Sequence, residues 1–147
     1  MKKRFAQDKF FPKNPEKYLG KKTPTYRSGW EFHFMKFCDE NPNITQWASE
    51  SIRIPYANPL TQRKTIYVPD FFIVYVDKNG SQHAELIEVK PENQTLKEKL
   101  GNSKYNQAHW IMNQAKWAAA RAFCKQNGMH FRIITERDMF HQGKRRR

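Results

Sequence analysis

Between Pro69 and Lys90 the chain carries two runs of strand-forming residues joined by a tight turn, and each run bears charge at one end. Phe71-Phe72-Ile73-Val74-Tyr75-Val76 and Glu85-Leu86-Ile87-Glu88-Val89 are rich in β-branched and aromatic residues, bounded by Pro69 and by Asp77-Lys78-Asn79-Gly80. Asp70 opens the first run, while Glu88 and Lys90 lie two apart on the second and so share one face. Charge at the end of an otherwise apolar strand must be solvated, paired or liganded. The stretch therefore constrains fold and chemistry together.

The turn decides which residues meet. A two-residue Asn-Gly loop would set Asp70 opposite Val89 and leave Glu88 on the other face. A three-residue loop ending in Gly80 at positive φ pairs Asp77 with Ser81 and, counting back, Asp70 with Glu88. That register also gathers Phe72, Val74, Ala84 and Leu86 on the face of the two acids, and it is the one expected. Two neighbouring carboxylates resist joint ionisation unless a cation lies between them, and oxygen ligands suit Mg²⁺, with Mn²⁺ as a substitute. Lys90 beside them would hold a water or neutralise charge on a phosphate. The ordinary alternative is a strand-end salt bridge from Lys90 to Asp70 or Glu88.

Pro69-Asp70 followed by Glu88-Val89-Lys90 on the next strand resembles the PD-(D/E)xK nuclease signature. Its surroundings are similar to a narrower group, the head-completion nucleases of tailed phages. The likeness runs through Tyr26-Arg27-Ser28-Gly29-Trp30-Glu31, Cys38-Asp39, Asn41-Pro42-Asn43-Ile44, Trp47-Ala48-Ser49-Glu50, Ile54-Pro55-Tyr56, Lys116-Trp117 and Phe131-Arg132-Ile133-Ile134-Thr135-Glu136, over residues 11 to 138. The resemblance implies a Mg²⁺ site formed by Asp70, Glu88 and the Val89 carbonyl, with Glu31 bound directly or through water. It implies Lys90 as the residue that positions the attacking water. On sequence alone Glu31 has a second role available, since Ser28-Gly29-Trp30-Glu31 has capping-box spacing and Glu31 would bond back to the Ser28 amide.

The rest of the chain reads as one domain. Residues 1–25, with Pro12, Pro15, Pro24 and repeated lysines, suggest a basic extended arm, pinned in places by Phe5, Phe10, Phe11 and Tyr18. Residues 26–140 form the nuclease domain, and 141–147 a basic tail. A helix is predicted from Ser28 to Glu40, with Trp30, Phe34 and Phe37 toward a sheet, and a first strand from Trp47 to Tyr56. A polar loop then runs through Arg63-Lys64, either touching phosphate or forming a solvated hairpin end. After Pro91 a lysine-rich loop leads into a helix from Ser103 to Asn127. Its expected inward stripe is Ala108, Met112, Ala115, Ala119, Ala122 and Phe123, and Gly128 closes it. Asn113 and Lys116 would point over the active face or line a solvated edge. Phe131 to Thr135 is the last strand, parallel to its neighbour because a long helix precedes it. The order α-β-β-β-α-β is an α/β fold, a mixed sheet flanked by helices, and matches the PD-(D/E)xK restriction-endonuclease-like core.

A formal net charge of +13 over 147 residues points to a polyanionic partner, with ribosome-like RNA binding or mere solubility as the ordinary alternatives; the nuclease resemblance implies double-stranded DNA, with Arg145, Arg146 and Arg147 among its candidate contacts. No apolar run reaches membrane-span length, and Met1-Lys2-Lys3-Arg4 lacks the apolar core of a signal peptide. Cys38 and Cys124 fall on predicted helix faces as reduced packing residues, and the five histidines show no zinc spacing. The resulting expectation is a Mg²⁺-dependent deoxyribonuclease that cuts or trims packaged DNA so that heads can join tails. Portal or neck proteins would be further partners, and its place the host cytoplasm during assembly, with possible retention in the virion. The competing readings are a DNA-binding structural adaptor of the head-tail neck and a transposon-end-type endonuclease.

Overall fold

The computed structural model describes residues 8–92, 95 and 103–138. In chain order its strands are β1 (Asp8–Lys9), β2 (Thr25–Tyr26), β3 (Ile44–Ser49), β4 (Ile54–Ala57), β5 (Lys64–Tyr67), β6 (Phe71–Val76), β7 (Gln82–Val89) and β8 (His130–Ile134). The two long helices are α1 (Gly29–Glu40) and α2 (Lys104–Gln126), with a short 3₁₀ turn at Pro15–Lys17.

A four-stranded sheet in the order β3-β6-β7-β8 organises the domain. The first three strands are antiparallel and β8 is parallel to β7, the geometry expected of a strand that returns through a helix. Between β6 and β7 the chain turns through the three-residue loop: the Asp77 N–H donates to the Ser81 carbonyl at 2.9 Å, the Gly80 N–H to the Asp77 carbonyl at 2.9 Å. Gly80 sits at φ +83°, where a side chain would be strained. Phe71 pairs with Ile87 and Phe72 with Leu86, so extending the ladder by one residue sets Asp70 against Glu88.

Strand alternation then makes two cores. Phe71, Ile73, Ile87 and Val89 face α1 and pack with Phe34, Met35, Cys38 and Trp47. Phe72 and Leu86 face the other way, onto Trp117, Ala120 and Cys124 of α2 and onto Ile54 and Tyr67. Both helices begin with a serine cap: Ser28 Oγ accepts from the Glu31 N–H at 3.1 Å, and Ser103 Oγ from the Asn106 N–H at 3.2 Å. Gly128, at φ +68°, follows the end of α2. Part of the N-terminal segment is packed against the domain. Phe10 is buried, β1 pairs with β2, and Leu19 N–H donates to the Trp47 carbonyl at 2.9 Å.

Two expectations need correction. The run from Trp47 to Tyr56 is two strands, because Glu50 adopts φ +50° and the chain leaves the main sheet there. The Arg63-Lys64 segment takes the solvated-hairpin form that the sequence allowed: β4 pairs with β5, Lys64 belongs to the latter, and both basic residues are exposed. The buried line of α2 is Asn113, Trp117, Ala120 and Cys124, while Ala122 is exposed. Ala119 and Phe123 of the expected stripe do pack against the second core, but the most buried line is rotated from it, because alanine carries little hydrophobic signal and Trp117 sets the helix rotation through its larger buried area. Arg145, Arg146, Arg147 and most of the loop after Pro91 lie outside the described residues.

Candidate active site

The carboxylates meet where β6 begins and β7 ends. Asp70 is anchored to the neighbouring backbone, its Oδ2 accepting from the Val89 N–H at 2.8 Å. Its own carbonyl accepts from the Glu50 N–H at 2.9 Å, so the sharp departure of the chain at Glu50 also braces Asp70. The Lys90 N–H bonds outward to Ile134 of β8 at 2.9 Å. In a trans peptide the Val89 carbonyl points opposite to that N–H, toward the Asp70 edge. Two side-chain acids and one backbone carbonyl thus share an edge.

Glu88 is buried and its two oxygens have different neighbours. Oε1 accepts the Tyr67 hydroxyl proton at 2.6 Å, and Oε2 lies 3.9 Å from Lys90 Nζ. The short distance is that of a charge-assisted O–H···O⁻ bond. Lys116 Nζ stands 5.8 Å from the centroid of the Tyr67 ring, which brings a helix-borne positive charge to the same side.

Glu31 sits on the first turn of α1 and is part-buried. Its Oε1 accepts from the Arg27 N–H at 2.9 Å rather than from the Ser28 amide, so its capping bond reaches one residue further back than expected. Its negative charge is felt at Asp70, and the Lys90 charge is felt at Glu31. Arg27 is also paired with Glu50.

Electrostatically the pair is poised against double ionisation. Burial, reinforced by the negative charge of Glu88, pushes the Asp70 carboxyl up to about 8, although the Val89 amide and Lys90 oppose the shift. Burial likewise raises Glu88, against the Tyr67 hydrogen bond and the Lys90 charge. Burial and the adjacent Glu88 charge hold the Tyr67 phenol well above its ordinary value, so it remains a donor. Burial also raises Glu31.

Among the described residues no group of three or more His, Cys, Asp or Glu side chains forms a ready metal cage. The donors at the Asp70–Glu88 edge are hard oxygens, and a divalent cation would offset the burial that raises both acids and the Glu88 charge that adds to it at Asp70. Mg²⁺ commonly keeps several waters and takes one or two carboxylates, so this donor set fits it. The other candidates lie apart or play different parts. Asn113 is buried on α2 and Lys116 is part-buried beside Tyr67, whereas Arg63 and Lys64 belong to the exposed hairpin. Reasoning from sequence missed Tyr67, whose only local signal was an aromatic residue at the end of a basic segment, and it gave Glu50 no role.

Residues 41–136 match the family described as TnsA-like endonuclease N terminal. The chain is also 36% identical, over 141 residues covering 87% of its length and 89% of the relative, to the head completion nuclease of Enterobacteria phage T4. The chain belongs to the head completion nuclease family and carries a TnsA-like endonuclease domain. No solved structure matches it. For a member of this family the mixed sheet between α1 and α2 is the restriction-endonuclease-like core that the signature implied. Asp70, Glu88, Lys90 and Lys116 fall inside the TnsA-like span, and Glu31 lies ahead of it.

Proposed function

We propose that this protein is a metal-dependent DNA nuclease that cuts or trims packaged DNA during phage head completion, so that filled heads can join tails. The observation that carries this reading is the Asp70–Glu88 pair, held edge to edge on adjacent strands with Lys90 at the rim, in a chain of net charge +13. Such a cluster is costly to bury without a cation, and a strongly basic surface suits a phosphate backbone. The match to a nuclease of phage head completion supports the role, and the endonuclease domain supports the reaction class.

Asp70, Glu88 and the Val89 carbonyl would hold Mg²⁺ or Mn²⁺, with Glu31 on the inner shell or through a water. When bound, the cation would lower the pKa of water and offset charge developing on the phosphate. Lys90 would orient the attacking water and lie beside the scissile phosphate, where its ammonium opposes the growing negative charge. Tyr67 keeps one oxygen of Glu88 turned away from solvent. Arg63, Lys64 and Lys116 would bind the DNA backbone without reading sequence, and Arg145, Arg146 and Arg147 would add to that attraction. Assembly would bring portal or neck proteins as partners, in the host cytoplasm.

The TnsA-like match also favours a second reading within the same reaction class, an endonuclease acting at defined DNA ends. The deciding experiment is plasmid digestion with Mg²⁺, with Mn²⁺, with EDTA and with Asp70→Ala. Cation-dependent cutting with little sequence preference, lost in the variant, is the expected result. An intact plasmid under every cation and salt condition would leave a DNA-binding adaptor of the neck as the better account. Among the described residues no helix is long and apolar enough to cross a membrane.

A further inference from the structure

The β4–β5 hairpin lies outside the main sheet, yet one of its side chains reaches the acids at the end of β7. Tyr67 closes β5 and is 5% exposed, its ring packed in the second core with Ile54, Leu86 and Trp117. The ring alone would satisfy that packing, as a phenylalanine ring does elsewhere in the same protein. The hydroxyl is what needs explaining, since a buried hydroxyl is costly without a partner. Its partner is Glu88 Oε1 at 2.6 Å, whereas Lys90 approaches the other oxygen, Oε2, at 3.9 Å. A carboxylate free to rotate would offer either oxygen, or both, to a cation. Here the Asp70 backbone amide also donates to the carboxylate, one oxygen is committed to the hairpin, and the other lies toward Lys90 at the rim of the site.

We propose that Tyr67 is a positioning residue for Glu88: its hydroxyl retains Oε1, so that Oε2 alone is presented to the divalent cation. The inference rests on the metal-dependent reading above and adds a residue to it. It makes the hairpin part of the site's support, although none of its residues needs to touch the cation. Groups that orient a metal ligand through a hydrogen bond commonly alter metal affinity about 10- to 100-fold when removed. Lys116, over the outer face of the ring, contributes a positive charge to this support.

Tyr67→Phe removes the hydroxyl and leaves the ring in the core. Tyr56→Phe is the matched control: it deletes a hydroxyl from the same hairpin, where Tyr56 packs part-buried against the second core. Two readouts are compared, Mn²⁺ affinity by calorimetry without DNA and the Mg²⁺ concentration giving half-maximal cleavage. Tyr67→Phe should bind Mn²⁺ about 10- to 100-fold more weakly, with a parallel rise in the Mg²⁺ requirement and recovery of most turnover at saturating metal. Tyr56→Phe should stay within about twofold of the wild type on both measures, a change too small for loss of a ligand-orienting bond. Equal Mn²⁺ affinity in Tyr67→Phe and the wild type overturns the inference alone. Equal weakening in both variants overturns it too, because the effect would then belong to the hairpin's stability. A wild-type protein that binds neither cation overturns the metal-dependent reading and this inference with it.

Discussion

Asp70 Oδ2 accepts the Val89 amide proton at 2.8 Å, so the acid at the start of β6 is tied to the backbone that separates Glu88 from Lys90. One hydrogen bond therefore spaces all three polar groups of the site. Its geometry depends on the strand pairing beneath it, which is apolar and extends well past the site. The chemistry can therefore be removed without removing the fold.

Asp70→Ala and Glu88→Ala should each abolish cleavage while the protein still unfolds cooperatively. Asp70→Ala removes an acid that is costly to bury beside Glu88, so its metal-free melting temperature should hold or rise, whereas Glu88→Ala leaves the buried Tyr67 hydroxyl without its partner, at about 1–3 kcal/mol, and should melt lower. Asp70→Ala also forfeits the Val89 hydrogen bond, worth about 0.5–1.5 kcal/mol while the acid is protonated, which limits the gain. Thermal melts beside the digestion assay check both halves. Near-wild-type cutting by either variant would remove that acid from the site.

The pH dependence has a definite sign. Asp70 is raised in the folded state to about 8, so its contribution to stability is present in full below the unfolded carboxyl range and is lost as pH rises toward 8. Metal-free protein should therefore be less stable at pH 9 than at pH 5, by at most about 5 kcal/mol from this group. Asp70→Asn should flatten that slope. Mg²⁺ should restore stability chiefly at the alkaline end, where the acid is ionised. Urea unfolding midpoints across pH, with and without Mg²⁺, provide the measurement.

Lys90 lies at the rim, with its ammonium 3.9 Å from Glu88 Oε2 and its side chain 27% exposed. Lys90→Ala should keep Mn²⁺ binding within about threefold yet lose roughly 100-fold or more in turnover, as expected for a group acting mainly in the transition state. Unchanged turnover would reduce Lys90 to the partner of a strand-end salt bridge.

Arg63 and Lys64 are exposed on a hairpin that leans on α2 beside the site. Replacing both with Ala should weaken DNA binding and make the slope of log affinity against log salt shallower by about 1.8, two phosphate contacts at roughly 0.9 each. Metal affinity should not move. An unaltered slope would mean that the hairpin's basic residues face away from the DNA.

A folded, cleavage-dead Asp70→Ala protein should fail to support head completion in a phage lacking this gene. Filled heads that cannot accept tails should accumulate, visible by electron microscopy, and the yield of infectious particles should fall. Normal yields would show that assembly needs only the surface of the protein, as an adaptor does.

Local sequence was enough for the strands β6 and β7, the register between them, and both serine-capped helices. Each is set by short-range physics: side-chain alternation, a glycine at positive φ, a hydroxyl one turn from an amide. The same local rules bring Asp70, Glu88 and Lys90 to one edge, because a hairpin's register follows from its turn. It failed where the decisive contact was not local. The break at Glu50 is held by a hydrogen bond to Asp70, 20 residues away in sequence, and carries no glycine or proline to mark it. The rotation of α2 was set by Trp117 seating against β4, β5 and β7, which no periodicity of alanines reveals. Tyr67 meets Glu88 across 21 residues and two separate sheets, and only packing of the second core places them together. By itself, then, the sequence determined which acids could face each other, through the turn. Only the tertiary structure decided which oxygen of Glu88 is held and by what, because that depends on a side chain delivered by a different sheet.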